Sequence, residues 1–174
     1  MSLYNLMKKI VFILLTLGLF FTAALTLDLQ RLSNGSGCAF CRQEVLDAQV
    51  FYRKGGAIGM LTYKPAVPGH VLIIPERHVE RFEDLTSTEL MALGDAIKEI
   101  DQMARKAFGH RDYLLIEKNG RGAGQSVPHL HFHYLPAAKF LAARFFLSPW
   151  LKPLKGEELA LLRDAFIQEK AQLN

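Results

Sequence analysis

His129-Leu130-His131-Phe132-His133 is the stretch on which the interpretation of this chain rests. Polar and apolar residues alternate strictly here, and in a β-strand the residues at i, i+2 and i+4 share one face of the sheet. We therefore expect a strand with three imidazoles on one face and Leu130 and Phe132 on the other. Three of the six histidines in the chain fall within these five residues, which indicates a site.

A glycine-rich segment, residues 120–128 with the sequence GRGAGQSVP, leads into the histidine stretch. Its backbone can bring N–H, amide and hydroxyl groups close to the imidazoles, a combination that favours an anionic substrate. Neutral imidazole is a nucleophile, a general base and a metal ligand near pH 7. Same-face strand positions lie roughly 6.5–7 Å apart. One histidine could thus attack a phosphoryl group while a second donates to it, or two could bind one metal ion.

The composition narrows the class of protein. The 174 residues suffice for one domain with a sizeable core. The net charge of +4 is spread without a long Lys/Arg run, so we expect no nucleic-acid binding, whereas anionic small molecules fit a mildly basic surface. Two cysteines exclude a disulfide scaffold.

Residues 1–30 are predicted to be a membrane anchor or a signal segment. Lys8 and Lys9 precede an apolar run, Ile10–Leu27, that is just long enough to span a bilayer. A single membrane-spanning helix is the favoured interpretation, and the alternatives are a cleaved signal peptide or a buried core helix. The two lysines predict a cytoplasmic N-terminus, with the domain on the outer side.

The rest of the chain predicts a linker at residues 31–37 and one domain at residues 38–174. An α+β fold is expected, with an antiparallel sheet and flanking helices. The apolar, aromatic segment at residues 137–151 is interpreted as a packing loop or a dimer contact. Besides the histidine strand, we expect four strands, at Val50–Arg53, Ala57–Thr62, His70–Ile74 and Tyr113–Glu117. We also expect three helices: one from about residue 42 to 48, one that begins after a capping box at Thr86–Glu89, and one at Glu157–Gln172.

Cys38 and Cys41 form a C-x-x-C pair, which can be half of a zinc site, a redox pair or two idle thiols. Zinc is favoured because histidines can supply the two remaining ligands. A linker precedes the pair, which fits a redox motif poorly, although an exported domain could form a local disulfide. His70 and His78 flank the third strand. His70 is open to a structural hydrogen-bonding role or a functional one, and His78 could face the cysteines.

Three segments together resemble the histidine-triad (HIT) superfamily, in particular its zinc-containing bacterial members of the Hint and Fhit type. They are residues 124–133 (GQSVPHLHFH), residues 68–78 (PGHVLIIPERH) and the opening Cys38-Ala39-Phe40-Cys41. The resemblance implies an α+β domain that forms a homodimer with one continuous sheet. It also implies chemistry at the α-phosphate of a nucleotide.

The resemblance further implies a role for each site residue. His131 would be the nucleophile and form a nucleotidyl-histidine intermediate, His133 would hold phosphate oxygens, and Ser126 would contact a phosphate oxygen or the leaving group. Backbone N–H groups from Gln125 to Val127 would stabilise developing charge. Asn119, Phe40 and His70 complete the expected nucleotide-binding set. Structural zinc would be bound by four residues, Cys38, Cys41, His78 and His129.

Two positions depart from the family pattern, and both concern recognition. Thr62 stands where many relatives have a ribose-binding Asp, and Lys118 stands where Asn or Gln is usual, with Asn119 adjacent as a possible substitute. The expected activity is hydrolysis of a nucleoside phosphoramidate or a dinucleoside polyphosphate. The alternatives are a nucleotidyltransferase and a non-catalytic, membrane-tethered nucleotide-binding module.

Overall fold

The computed structural model describes residues 37–109, 112–136 and 153–171, together with Thr16. The chain forms two compact units, Met1–Cys38 and Ala39–Asn174. In the first unit, the structure describes three residues: Thr16, which is helical, and Gly37 and Cys38, which are not. The rest of the predicted anchor, most of the linker and the segment at residues 137–151 lie outside the described residues. Within the described ranges, no helix combines the length and apolarity needed to cross a bilayer.

The second unit is built on a five-stranded sheet in the order β1-β2-β3-β5-β4. Every neighbouring pair is antiparallel, which confirms the predicted α+β class. The strands are β1 (Val50–Lys54), β2 (Ala57–Leu61), β3 (Val71–Pro75), β4 (Tyr113–Glu117) and β5 (Phe132–Pro136).

A tight hairpin joins β1 to β2, as the glycine pair in the sequence predicts. Gly55 and Gly56 have φ values of 63° and 90°. Positive φ at both central residues defines the type I′ turn, whose twist matches that of the two strands and which side chains with a Cβ rarely adopt. Local sequence therefore sets the register of this hairpin.

Within the described residues of this unit, the α-helices are α1 (Gln43–Gln49), α2 (Ser87–Phe108) and α3 (Gly156–Ala171). The predicted capping box opens α2, where the Thr86 side chain accepts from the Glu89 backbone and Glu89 accepts from the Thr86 backbone. Gly109 closes this helix in the left-handed conformation. The bounds of α1 and α3 agree with the sequence expectation to within one residue or so.

The two larger apolar clusters of the described residues lie on opposite faces of the sheet, and a third, smaller cluster is formed by Ala66, Val67 and Leu135. On one face, α2 and α3 contribute Leu93, Ile100 and Phe166 to a large core. On the other face, a smaller cluster joins β2 and β3 to Phe40 and to α1. Phe40 thereby anchors the turn that carries Cys41 to the face of the sheet on which the functional site lies.

The predicted histidine strand is wrong in its first half, because β5 begins at Phe132 and contains only His133 of the triad. The ladder stops there since Phe132 is the last partner of both Ile73 and Glu117. Two residues before Phe132, the Leu130 N–H donates instead to the carbonyl of Val79 at 2.6 Å. Two smaller corrections follow the same cause: β2 pairs only as far as Leu61, and β3 begins at Val71, so that His70 precedes it.

Candidate active site and metal centre

His131 lies just before β5 and is buried, with 4% of its surface exposed. Its Nδ1 is 2.7 Å from the carbonyl oxygen of His129. A carbonyl can only accept, so Nδ1 carries the proton and donates, and Nε2 keeps its lone pair. Burial, reinforced by the Lys118 ammonium, lowers the pKa of His131, although the bond to His129 opposes this shift. The imidazole is therefore neutral near pH 7, with the lone pair of Nε2 available.

His133 and His70 form a relay of hydrogen bonds behind His131. The Ala66 backbone N–H donates to Nδ1 of His70 at 3.1 Å, which makes this nitrogen an acceptor. Nε2 of His70 must then carry the proton and donate to Nδ1 of His133, 3.0 Å away. By the same logic His133 is protonated at Nε2. The backbone of Ala66 thus sets the tautomer of His133 through His70.

Burial is the main reason why this relay stays uncharged. It lowers the pKa of His70 to about 3 and that of His133 to about 2, and neighbouring histidines add to both shifts. The rings of His131 and His133 are 4.9 Å apart in an edge-on arrangement. The structure therefore brings together a nucleophilic nitrogen and a fixed N–H donor on adjacent rings.

Phe40 and the end of the glycine-rich segment border the His131 imidazole. The Phe40 ring meets His131 edge-on, with 5.4 Å between ring centroids. Ser126 is exposed and Val127 half-buried. In the described part of the chain, neither residue donates its backbone N–H to a backbone carbonyl. Both N–H groups can therefore serve as donors to a bound anion.

Like His70, two further residues expected to bind nucleotide have their side chains engaged within the protein. The Gln125 amide accepts from the Gly120 N–H and donates to the carbonyl of Glu80, and its own N–H donates to Gly120. Asn119 accepts from the Phe82 N–H and donates to Glu83. These bonds hold the loop against residues 80–83. Sequence reasoning missed this segment because no local signal connects positions so far apart in the chain.

The four predicted zinc ligands lie together. Cys38, Cys41, His78 and His129 each offer one ligand atom, and these atoms are all within 4.8 Å of one another. Nδ1 of His78 and Nδ1 of His129 lie 3.4 and 3.5 Å from Sγ of Cys41. A tetrahedral zinc ion with ordinary Zn–S and Zn–N distances separates sulfur from nitrogen by about 3.5 Å. The spacing therefore fits zinc.

The second nitrogen of each histidine ring supports the same conclusion. Nε2 of His129 donates to the carbonyl of Pro75 at 2.9 Å, which leaves the lone pair on Nδ1, the atom that faces Cys41. Nε2 of His78 lies 3.6 Å from the carboxylate of Glu80. Outer partners of this kind orient histidine ligands in metal sites. Burial lowers the pKa of His129 to about 4, so this ligand is neutral as metal binding requires.

The family model of the HIT domain matches residues 43–140. This range covers more than half of the chain, and the chain belongs to the HIT family.

Two curated relatives and one solved structure show the extent of the similarity. The asymmetrical bis(5′-nucleosyl)-tetraphosphatase of Schizosaccharomyces pombe is 40% identical over 92 residues, which are 53% of this chain and 50% of that protein. An uncharacterized HIT-like protein of Methanocaldococcus jannaschii is 34% identical over 101 residues, 57% of this chain and 78% of that protein. A zinc-bound histidine-triad protein from Mycobacterium smegmatis superposes with a TM-score of 0.61 at 25% identity, covering 79% of this chain and 99% of that one. The chain thus spans only half the length of the tetraphosphatase.

Proposed function

We propose that this protein hydrolyses nucleotides at the α-phosphate, with dinucleoside polyphosphates as its preferred substrates. One observation carries the proposal: the bond from Nδ1 of His131 to the carbonyl of His129 leaves the lone pair of a buried, neutral imidazole on Nε2. The similarity to a tetraphosphatase supports the choice of substrate class.

The reaction takes place in two displacements at phosphorus. Nε2 of His131 attacks the α-phosphorus, the bond from phosphorus to the bridging oxygen breaks, and the remainder of the substrate leaves as an anion. Water then attacks the nucleotidyl-histidine, gives up a proton and releases a nucleoside monophosphate together with neutral His131. Splitting one difficult displacement into two lowers the barrier of each.

The surrounding donors bind the charge that develops on the phosphoryl oxygens. His133 presents Nε2–H, oriented through His70, and the backbone N–H groups of Ser126 and Val127 lie at the end of the loop. Donors held in place before the reaction stabilise a transition state without a cost of reorganisation. Ser126, an exposed residue of the same loop, would contact the leaving group through its hydroxyl.

Zinc bound by Cys38, Cys41, His78 and His129 would have four protein ligands and would serve a structural role. His129 is then both a ligand and the residue whose carbonyl fixes the tautomer of His131. All the chemical steps of the reaction are then carried out by the chain's own residues.

Two further proposals concern assembly and location. The unit forms a homodimer through β4, which ends the described sheet and exposes 40% of Tyr113 and 37% of Leu115, since an open strand edge invites pairing. A light-scattering mass of about one chain, 19.6 kDa, would contradict the dimer. Residues 1–30 tether the protein to a membrane, and the length and apolarity of that segment support this proposal.

The test of the activity compares His131→Ala with wild type on a panel of dinucleoside polyphosphates, phosphoramidates and activated sugar nucleotides. We expect the variant to bind nucleotide and to lose turnover, by several orders of magnitude. Unchanged turnover would refute the proposal. Discharge of the intermediate to an added sugar phosphate faster than to water would instead favour a transferase.

A further inference from the structure

Lys118 is the first residue after β4, at the position where that strand passes the active-site histidines. The register pairs Ile116 with His133 and Glu117 with Phe132. Lys118 and His131 are the residues that directly flank the end of this ladder. Cross-strand partners share a face of the sheet, and so do residues two apart. Lys118, two residues beyond Ile116, therefore leaves β4 on the face that carries His133, and its charge also acts on His131.

A second contact places the ammonium group beside the substrate-binding loop. A Cβ atom built on Gly124 would lie 3.6 Å from Cδ and 3.8 Å from Nζ of Lys118. Gly124 has a φ of +89° and directly precedes Gln125-Ser126-Val127. The Lys118 side chain thus lies along the loop whose next N–H groups are the proposed phosphate donors.

The electrostatics agree with this placement. Burial and the neighbouring histidines are the larger causes of the lowered pKa of His133, and the charge of Lys118 lowers it further. The same charge also lowers the pKa of His131. The nearest carboxylate in sequence, Glu117, is electrostatically coupled to Glu83 and Arg81. Because successive strand residues alternate, Glu117 points to the other face of the sheet.

The geometry points to Lys118 as a specificity-determining residue whose ammonium binds the phosphate chain beyond the α-phosphate. This inference rests on the proposed function and adds a prediction to it. A substrate whose leaving group is a polyphosphate presents several negative charges to this ammonium, whereas the amine of a phosphoramidate presents none. A charge-assisted hydrogen bond of this kind changes affinity or rate by about 10- to 100-fold.

The first test measures binding in the His131→Ala background, in which no turnover interferes. Calorimetry gives the Kd values of ATP and AMP for the protein with Lys118 and for the Lys118→Gln variant, which keeps a polar side chain and removes the charge. We expect Lys118→Gln to weaken ATP binding about 10- to 100-fold and to change AMP binding little. Lys118→Arg should retain most of the ATP affinity. Lys98→Gln is the matched control, since Lys98 is an exposed helical lysine paired with Asp95.

The results separate this inference from the proposed function. Equal losses for AMP and ATP, no loss for either, an equal effect of Lys98→Gln, or no measurable ATP binding at all would each overturn the role of Lys118. Turnover provides the second readout. In an otherwise wild-type chain, Lys118→Gln should lower kcat/KM for diadenosine tetraphosphate far more than for adenosine phosphoramidate. A wild type that cleaves neither compound would refute the proposed function, while the ATP-to-AMP binding ratio would still decide the inference.

Discussion

Replacing His70 with leucine tests the hydrogen-bond relay that sets the tautomer of His133. His70 is 97% buried, and its two ring nitrogens are bonded to the Ala66 N–H at 3.1 Å and to Nδ1 of His133 at 3.0 Å. Leucine fills a comparable volume and offers neither an acceptor nor a donor. The buried Ala66 N–H would lose its acceptor, and the half-buried His133 ring would lose its donor.

The expected loss of stability follows from those two groups. A buried polar group that loses its partner costs about 1–3 kcal/mol. We therefore expect His70→Leu to lower the free energy of unfolding by about 1–3 kcal/mol through the Ala66 N–H, and the half-buried His133 ring to add a smaller loss. That is a large part of the stability of an ordinary domain, about 5–15 kcal/mol. His70→Gln is the matched variant, because its amide supplies one acceptor and one donor and should recover part of the loss.

Urea unfolding followed by circular dichroism measures the difference, and steady-state kinetics adds a second readout. With Nδ1 of His133 no longer bound to a donor, the donor at Nε2 loses its orientation, and kcat should fall more than KM changes. A His70→Leu protein within about 0.5 kcal/mol of wild type, the range of ordinary surface substitutions, would refute the relay. A glutamine variant as unstable as the leucine variant would mean that volume, and not hydrogen bonding, matters at this position.

Three further perturbations address the metal, the buried histidines and the membrane segment. Purified wild type should contain about one zinc per chain and Cys41→Ser far less by elemental analysis, because Cys41 contacts both histidine ligands; equal, negligible zinc in both would contradict the metal site. The folded state holds His70 and His133 neutral, with pKa values lowered to about 3 and about 2, while the unfolded chain protonates near 6.5. The contribution of these two neutral histidines to the free energy of unfolding is complete above pH 6.5 and is lost as the pH falls. Urea unfolding with a chelator present should therefore show about 2 kcal/mol less stability per histidine at pH 5 than at pH 8. Equal stability at both pH values would contradict this expectation. A topology reporter fused after Asn174 should report the outer side of the membrane, and a cytoplasmic signal would overturn the orientation predicted from Lys8 and Lys9.

Elements defined by neighbouring residues could be predicted from the sequence. Gly55-Gly56 specifies a hairpin turn, Thr86 and Glu89 specify a helix start, and alternation and periodicity located most strands and helices. The zinc ligand set also agrees with the structure, since the resemblance connected Cys38 and Cys41 to histidines far along the chain. These predictions needed no knowledge of packing.

Features that depend on distant partners could not be predicted. The start of β5 at Phe132 follows from where Ile73 and Glu117 end their ladders, and a strand pattern carries no information about the length of its neighbours. Likewise, the alternation of 129–133 is retained in the sequence although half of it lies outside the sheet. Strand pairing decides such boundaries.

The engagement of Asn119 and Gln125 is a second example. Both are polar residues beside a histidine cluster, which favours a binding role, yet their amides bond to backbone and carboxylate groups in residues 80–83. Those partners lie 36–45 positions away in the chain. Only the fold shows that these two side chains hold the loop in place.

Intact-mass analysis of the quenched enzyme tests the central claim, that His131 is the nucleophile. The purified chain is mixed with diadenosine tetraphosphate and quenched within the first turnover in alkaline denaturant, because phosphorus–nitrogen bonds are labile in acid. We expect a mass increase of one nucleotidyl group that maps to the peptide containing His131, decays with time and does not form in His131→Ala. Full turnover without any adduct, or the same adduct in His131→Ala, would contradict the account.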